Sequence, residues 1–215
     1  FWAAGSNPAA SAYCTPERVR AMWAMVALAD AGTTTTGRMA DALRGRARRV
    51  AVLPNGLPAA MWPRGRRVPG RILWAGSPSH GRDLDLVARA LRRVFDGHPE
   101  AHLAIFGMDP PPQQIVDACR GRLGVQAFVE FEEYPDVLAR MGAQVAIAPL
   151  EDTPWNEGKS AIKALEYAAC GYPALLSPVG EYAALAGQGL PLGETVADGG
   201  WFPIPTRSHS AAASA

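Results

Sequence analysis

From residue 71 onward the chain alternates short apolar runs with amphipathic stretches of helical period, and this alternation constrains its fold most. The runs are RILWAG (71–76), HLAIFG (102–107), VQAFVEF (125–131), QVAIAPL (144–150) and YPALLS (172–177). They are apolar on both faces, as strands of a sheet covered on both sides must be. Between them lie DLDLVARALRRVF (83–95), which sets Leu84, Val87, Leu91 and Val94 on one face, then PPQQIVDACRGRL, YPDVLARMG and KSAIKALEYAACG (159–171). This order predicts an α/β fold, a Rossmann-like parallel sheet flanked by helices. Its ligand crevice belongs at the carboxyl ends of the strands. GSPSHGRD, GMDPPP and EDTPWNEGKS are the segments found there.

Upstream, PERVRAMWAMVALA (16–29) reads as a helix capped by Thr15, with Pro16 and Glu17 in its first turn. GTTTT (32–36), GRMADALRGRA and RVAVLPNG (49–56) follow as a β-branched run, a short helix and a strand ending in a turn. Residues 1–58 therefore form a partial second α/β unit. AAMWPRGRRVPG (59–70) has no period and reads as a linker. The Rossmann-like unit is expected over 71–200, and 201–215, with its low-complexity end PIPTRSHSAAASA, as a disordered tail. The chain begins with Phe1 and carries no signal peptide, so it is expected to start inside a longer natural sequence.

The net charge of +1, with 19% charged residues, argues against a nucleic-acid partner held by bulk electrostatics. No apolar run approaches the ~18 residues of a membrane span. Cys14, Cys119 and Cys170 fit neither a disulfide framework nor a zinc pattern, and free thiols imply a reducing, cytoplasmic compartment. Cys170, in an apolar helix end, reads as a core thiol. No Ser-His-Asp order stands out.

Lys159 and Lys163 are the only lysines against 19 arginines, and they lie four residues apart where a loop opens into a helix. With Glu166 they would share one helical face. A helix amino terminus favours phosphate, and lysines add point charge. Glu166 could accept hydrogen bonds from sugar hydroxyls; the alternative is a plain Lys163–Glu166 ion pair. GKS (158–160) is not a P-loop, because the glycine that motif needs five residues earlier is Thr153. In the loop after the first strand of the sheet, Gly76 and Gly81 leave room for an anion, and Ser77, Ser79, His80 and Arg82 could each reach it. The alternative there is an ordinary strand-to-helix turn. LPNG (53–56) is either a turn or a strand end at a cleft, and Glu130, Glu132 and Glu133 read as a solvated strand end.

VAVLPNGL, RILWAGSPSHGRDLDLVARAL, LAIFG and VAIAPLEDTPWNEGKSAIKALEYAACGYPALLSPVGEY together resemble the group 1, family 4 glycosyltransferases of GT-B fold, over roughly residues 15–185. The resemblance implies two Rossmann-like halves. Residues 71–200 would bind a nucleotide-sugar donor, and 1–58 would be a remnant of the acceptor-side domain. It implies retaining, metal-independent transfer with no cofactor beyond the donor substrate. Glu166 matches the second glutamate of the family's paired-glutamate motif, which bonds the donor ribose. The first would fall at Gly158, with Glu157 adjacent but out of register. The family's diphosphate-binding cations would fall near Ser77 and Arg82, and because serine carries no charge, Arg82, Lys159 and Lys163 are the candidates. The donor-binding set is thus Gly76, Ser77, His80, Arg82, Glu157, Lys159, Ser160, Lys163 and Glu166, with no metal ligand and no catalytic residue assigned. The acceptor can be a glycan, lipid or protein, and peripheral membrane contact is compatible with the parent. The 215-residue chain alone is expected to show no measurable transfer. A GT-B nucleotide-sugar epimerase and a non-catalytic nucleotide-sugar module are the rival readings.

Overall fold

The computed structural model of the chain describes Ser11, residues 14–187 and residues 202–204. Helix α1 (Pro16–Leu28) starts where Thr15 Oγ1 accepts the Arg18 N–H. Strand β1 (Gly32–Thr34), helix α2 (Gly37–Leu43) and strand β2 (Val50–Val52) follow, and β1 pairs with β2 in parallel. The helix, strand, helix and strand expected over 16–56 are thus present, with the two strands paired.

The main sheet has β3 (Arg71–Ala75), β4 (His102–Phe106), β5 (Leu123–Gln126), β6 (Val145–Ala148), β7 (Ala174–Leu176) and β8 (Phe202–Ile204) in the order β5-β4-β3-β6-β7-β8. The first five strands of that order run parallel, and β8 joins β7 antiparallel. Because strand side chains alternate, each strand feeds two cores. Leu73, Ala75, Ala104, Phe106, Ala146 and Ala148 face one side, under α6 (Tyr134–Met141) and α8 (Ile162–Cys170). Ile72, Trp74, Leu103, Ile105 and Ile147 face the other, under α3 (Gly81–Asp85), α4 (Ala88–Gly97) and α5 (Gln113–Cys119).

Several expectations shift. The single helix over 83–95 divides into α3 and α4 around Leu86 and Val87, and Val94, expected on the buried face, is 36% exposed. The third strand of the sheet lies at Leu123–Gln126 rather than 125–131, in register with Leu103–Phe106. β4 ends at Phe106, and the Gly107 N–H after it bonds the Gln126 carbonyl, so the pairing stops there and Phe128 and Phe131 lie exposed. Glu130–Glu133 form the turn into α6, not a strand end. The tail was expected to be disordered from 201, but Phe202–Ile204 form β8; an edge position tolerates Pro203, which lacks a ladder donor. The rest of that tail lies outside the described residues.

Residues 59–70 hold one 3-10 turn, Ala59–Met61, and are otherwise irregular, but they are tied down. Trp62 is buried in the first core, the Gly65 N–H bonds the Cys170 carbonyl, and the Arg66 carbonyl accepts the Ala143 N–H. Cys119 and Cys170 are buried free thiols, and burial raises them to about 11 and about 12, as core packing implies.

Candidate functional site

The site is built where β3, β4 and β6 end. The Gly76 N–H bonds the Phe106 carbonyl, and Gly107, at φ +87°, brings its backbone against Gly76: a Cβ at 107 would lie 2.8 Å from the Gly76 oxygen. After Gly76, Ser77 and Ser79 share a hydrogen bond of 2.7 Å, and His80 leads into α3. After β6 the chain crosses back through residues 149–153 to the single turn α7 (Pro154–Glu157), where Thr153 Oγ1 accepts the Asn156 N–H. Gly158–Ala161 then lead into α8.

Lys159 therefore precedes α8, which starts at Ile162, and does not share its face with Lys163 and Glu166 as the spacing predicts. The chain turns at Gly158 and bends at Ala161, and the Lys159 side chain reaches the β3 side. Its ammonium lies 3.4 Å from Asp83 Oδ2 and 3.2 Å from His80 Nδ1. His80 Nδ1 is itself 2.8 Å from Asp83 Oδ2. With the proton on Nδ1 the ring donates to the carboxylate, and Lys159 reaches Asp83 directly. The other Asp83 oxygen accepts the Glu151 N–H at 2.9 Å and the Asn156 amide at 2.7 Å. Burial opposes the Asp83 charge, but the His80 and Glu151 hydrogen bonds and the positive charge of Lys159 and His80 outweigh it, and the carboxyl stays below its ordinary range. Burial pulls the Lys159 ammonium below its usual value; Asp83 resists this and nearby Lys163 adds to it.

Lys163 and Glu166 meet on α8 at 3.5 Å, and Tyr134 donates its hydroxyl to the same Glu166 oxygen at 2.9 Å. Tyr134 stacks on Phe106, with ring centres 5.0 Å apart. Burial, then the Glu166 charge, drive its phenol far above the ordinary range, so it is always a donor. The Lys163 and Glu166 side chains are 21% and 12% exposed, unlike a solvated ion pair.

The remaining candidates are held elsewhere. Arg82 pairs with Glu151 at 2.7 Å and is 60% exposed. Glu157 pairs with Arg38, and Ser160 Oγ accepts the Asn55 amide at 2.7 Å. Gly158 packs on Met39, whose sulfur would sit 3.1 Å from a Cβ, so this position has little room for the glutamate that the family pattern puts there. Asp83, Asn156, Tyr134 and Thr36 escaped the sequence reading, whereas Asn55 lies in LPNG (53–56), for which a position at a cleft is one of the two readings. Asp83 sits inside an amphipathic helical pattern, and nothing local marks it as buried. Among the described residues no group of three or more His, Cys, Asp or Glu could hold a metal ion. None of the described helices is long and apolar enough to cross a membrane.

In open parallel α/β sheets ligands bind in the crevice outside the carboxyl ends of the strands, and the loop that carries Lys159 lies there. The family model of the group 1 glycosyl transferases matches residues 69–213, and the chain belongs to that family. No curated protein matches its sequence. Among solved structures it is similar to a point mutant of TarM from S. aureus in complex with fondaparinux, alpha-GlcNAc-glycerol and UDP (TM-score 0.59, 9% identity, 79% of this chain and 34% of that one). It is also similar to the pneumococcal O-GlcNAc transferase GtfA in complex with UDP and GlcNAc (0.56, 15%, 83% and 34%). A third likeness is to α,α-trehalose 6-phosphate synthase of Burkholderia multivorans (0.50, 16%, 80% and 51%). At these identities the likeness is one of fold, the GT-B fold. The chain spans about a third of the length of the first two structures.

Proposed function

We propose that residues 71–187 bind the nucleoside diphosphate of a sugar donor, and that the protein transfers the sugar to an acceptor with retention of configuration and without a metal. The carrying observation is where the chain's two lysines stand: Lys159, in the loop that follows β6 and α7, sets its ammonium beside His80 at the end of β3, and Lys163 lies in the first turn of α8 beside Glu166. No side chain caps the amino terminus of α8, which leaves its N–H groups to an anion. In this reading Lys159, Lys163 and those N–H groups hold the diphosphate and stabilise it as it leaves, while charge develops at the sugar centre. Gly76 and Gly107 keep the floor of the crevice free of side chains, with Ser77 and His80 beside them. Glu166 turns toward the ribose, oriented by Tyr134. Arg82 contributes once it leaves Glu151. The UDP named in the TarM and GtfA complexes supports a nucleoside diphosphate as the ligand class. Calorimetry of the chain against UDP, GDP and ADP tests this: at least one binds, and binding of none by a folded sample refutes it.

A further inference from the structure

Asp83 is a carboxylate with a 5% exposed side chain, on the short helix that leads away from β3. It engages four groups from two places in the chain, His80 just before it and the loop 151–159. Oδ1 takes the Glu151 N–H and the Asn156 amide, and Oδ2 takes His80 and Lys159. Asn156 shows how much hangs on it. This asparagine is 3% exposed, its amide nitrogen donates to Asp83 and to the Glu151 carbonyl, and its amide oxygen has no partner. A half-satisfied amide is costly to bury, so its place depends on those two acceptors. A lone buried carboxylate would be costlier still, and a pair of dipoles plus a cation is what makes one tolerable.

We propose that Asp83 is a positioning residue of the donor site: it fastens the loop 151–159 to the β3 side and fixes the Lys159 ammonium beside His80, where the diphosphate binds. The proposal rests on the donor-site reading above. An ammonium on four methylenes loses considerable rotamer freedom when it meets a ligand, and one already ordered by a carboxylate loses less. The titratable groups next to Lys159 are Asp83 and His80 on the β3 side, with Lys163 following on α8 and the Arg82–Glu151 and Arg38–Glu157 pairs flanking the loop. Tyr182 faces Asp83 from the helix after β7 and stays protonated, chiefly through burial.

A double-mutant cycle on UDP affinity in the 215-residue chain separates this role from bulk stability. Asp83→Asn keeps the shape and removes the charge. UDP affinity is expected to fall about tenfold in Asp83→Asn and at least as much in Lys159→Met, the scale of a charge-assisted contact. Asp83→Asn added to Lys159→Met should cost nothing further, whereas a merely structural carboxylate would cost the same in both backgrounds. Equal losses in both backgrounds, or an unchanged affinity in Asp83→Asn while Lys159→Met is weakened, overturn the proposal alone. A wild-type chain that binds no nucleoside diphosphate overturns the donor-site reading and the proposal with it. If Asp83→Asn does not fold, carbon-13 dimethylation of the wild-type lysines decides. With two lysines in the chain, Lys159 gives its own signal, assigned with Lys163→Arg. That signal is expected to show an acid-side step as Asp83 takes up its proton, and a Lys159 signal with no such step overturns the contact on which the proposal stands.

Discussion

Thr36 donates its hydroxyl to the carbonyl of Gly158 at 3.1 Å, across 122 residues of chain, while the same oxygen accepts the Met39 N–H at 3.2 Å and caps α2. One fully buried side chain thus closes a helix of the upstream unit and ties that unit to the residue before Lys159. The Arg38–Glu157 and Asn55–Ser160 contacts lie on either side of it, so the loop that carries Lys159 is held from the upstream unit as well as from Asp83.

Replacing Thr36 by valine keeps the shape but removes both bonds. Loss of the cap and of a buried acceptor's partner is expected to cost about 1–3 kcal/mol. Thr36→Ser, which keeps the hydroxyl, should stay within about 1 kcal/mol of wild type, because it gives up only a methyl group. Urea unfolding of the three proteins reads the difference. Equal stability of the Thr36→Val and Thr36→Ser variants would remove the hydroxyl from the account.

A second expectation concerns the floor of the crevice. Gly107 and Gly121 both have positive φ, +87° and +80°, but a Cβ at 107 meets the Gly76 carbonyl at 2.8 Å and one at 121 meets nothing within 4 Å. Gly121→Ala is expected to cost about 1 kcal/mol, the backbone penalty alone. Gly107→Ala carries that penalty plus a backbone clash that no side chain can relieve, and should cost clearly more. Denaturant midpoints of the two variants check the order.

Much of this arrangement was legible in the sequence, and what was missed has a common cause. Apolar runs on both faces announced the parallel sheet, since only strands buried on both sides need them. The glycines after β3 and β4 marked where the crevice opens. What periodicity could not give was the break before α8: KSAIKALEY has good helical period throughout, yet the Lys159 N–H bonds the Asn156 carbonyl in the turn before, and the helix begins at Ile162. That slip of three residues sends Lys159 to Asp83 rather than along α8. Asp83 was hidden for the same reason that Tyr134 was. Each is polar in a helical pattern, and its partner comes from a distant loop or helix, which no local spacing encodes.

Lys163→Met separates charge from packing. Diphosphate affinity should fall by about 1–3 kcal/mol, as expected of a charge-assisted contact. Stability should fall by more than the ~1 kcal/mol of a solvated pair, because the Glu166 carboxylate, little exposed, loses its cation and keeps only the Tyr134 hydroxyl. Calorimetry and thermal melting on the same sample check both. A melting collapse with unchanged affinity would assign Lys163 to structure.

Donor affinity should also depend on pH with a definite sign. Burial lowers the Lys159 pKa from its ordinary 10.5, so this ammonium loses its proton at a lower pH than a solvated lysine does. A nucleoside diphosphate sheds its last proton at about pH 6, so above neutrality the ligand's charge is constant and the protein alone sets the trend. Deprotonation removes a positive charge from the site, and affinity for UDP should therefore decline as pH rises through the alkaline range, beginning below the range in which an ordinary lysine titrates. Bound diphosphate stabilises the ammonium, so by linkage the same decline appears as proton uptake on binding at alkaline pH. Titrations in two buffers of different ionisation enthalpy measure that uptake directly. In Lys159→Met both the alkaline decline and the proton uptake should diminish. An uptake that persists unchanged in Lys159→Met would place the titrating group elsewhere.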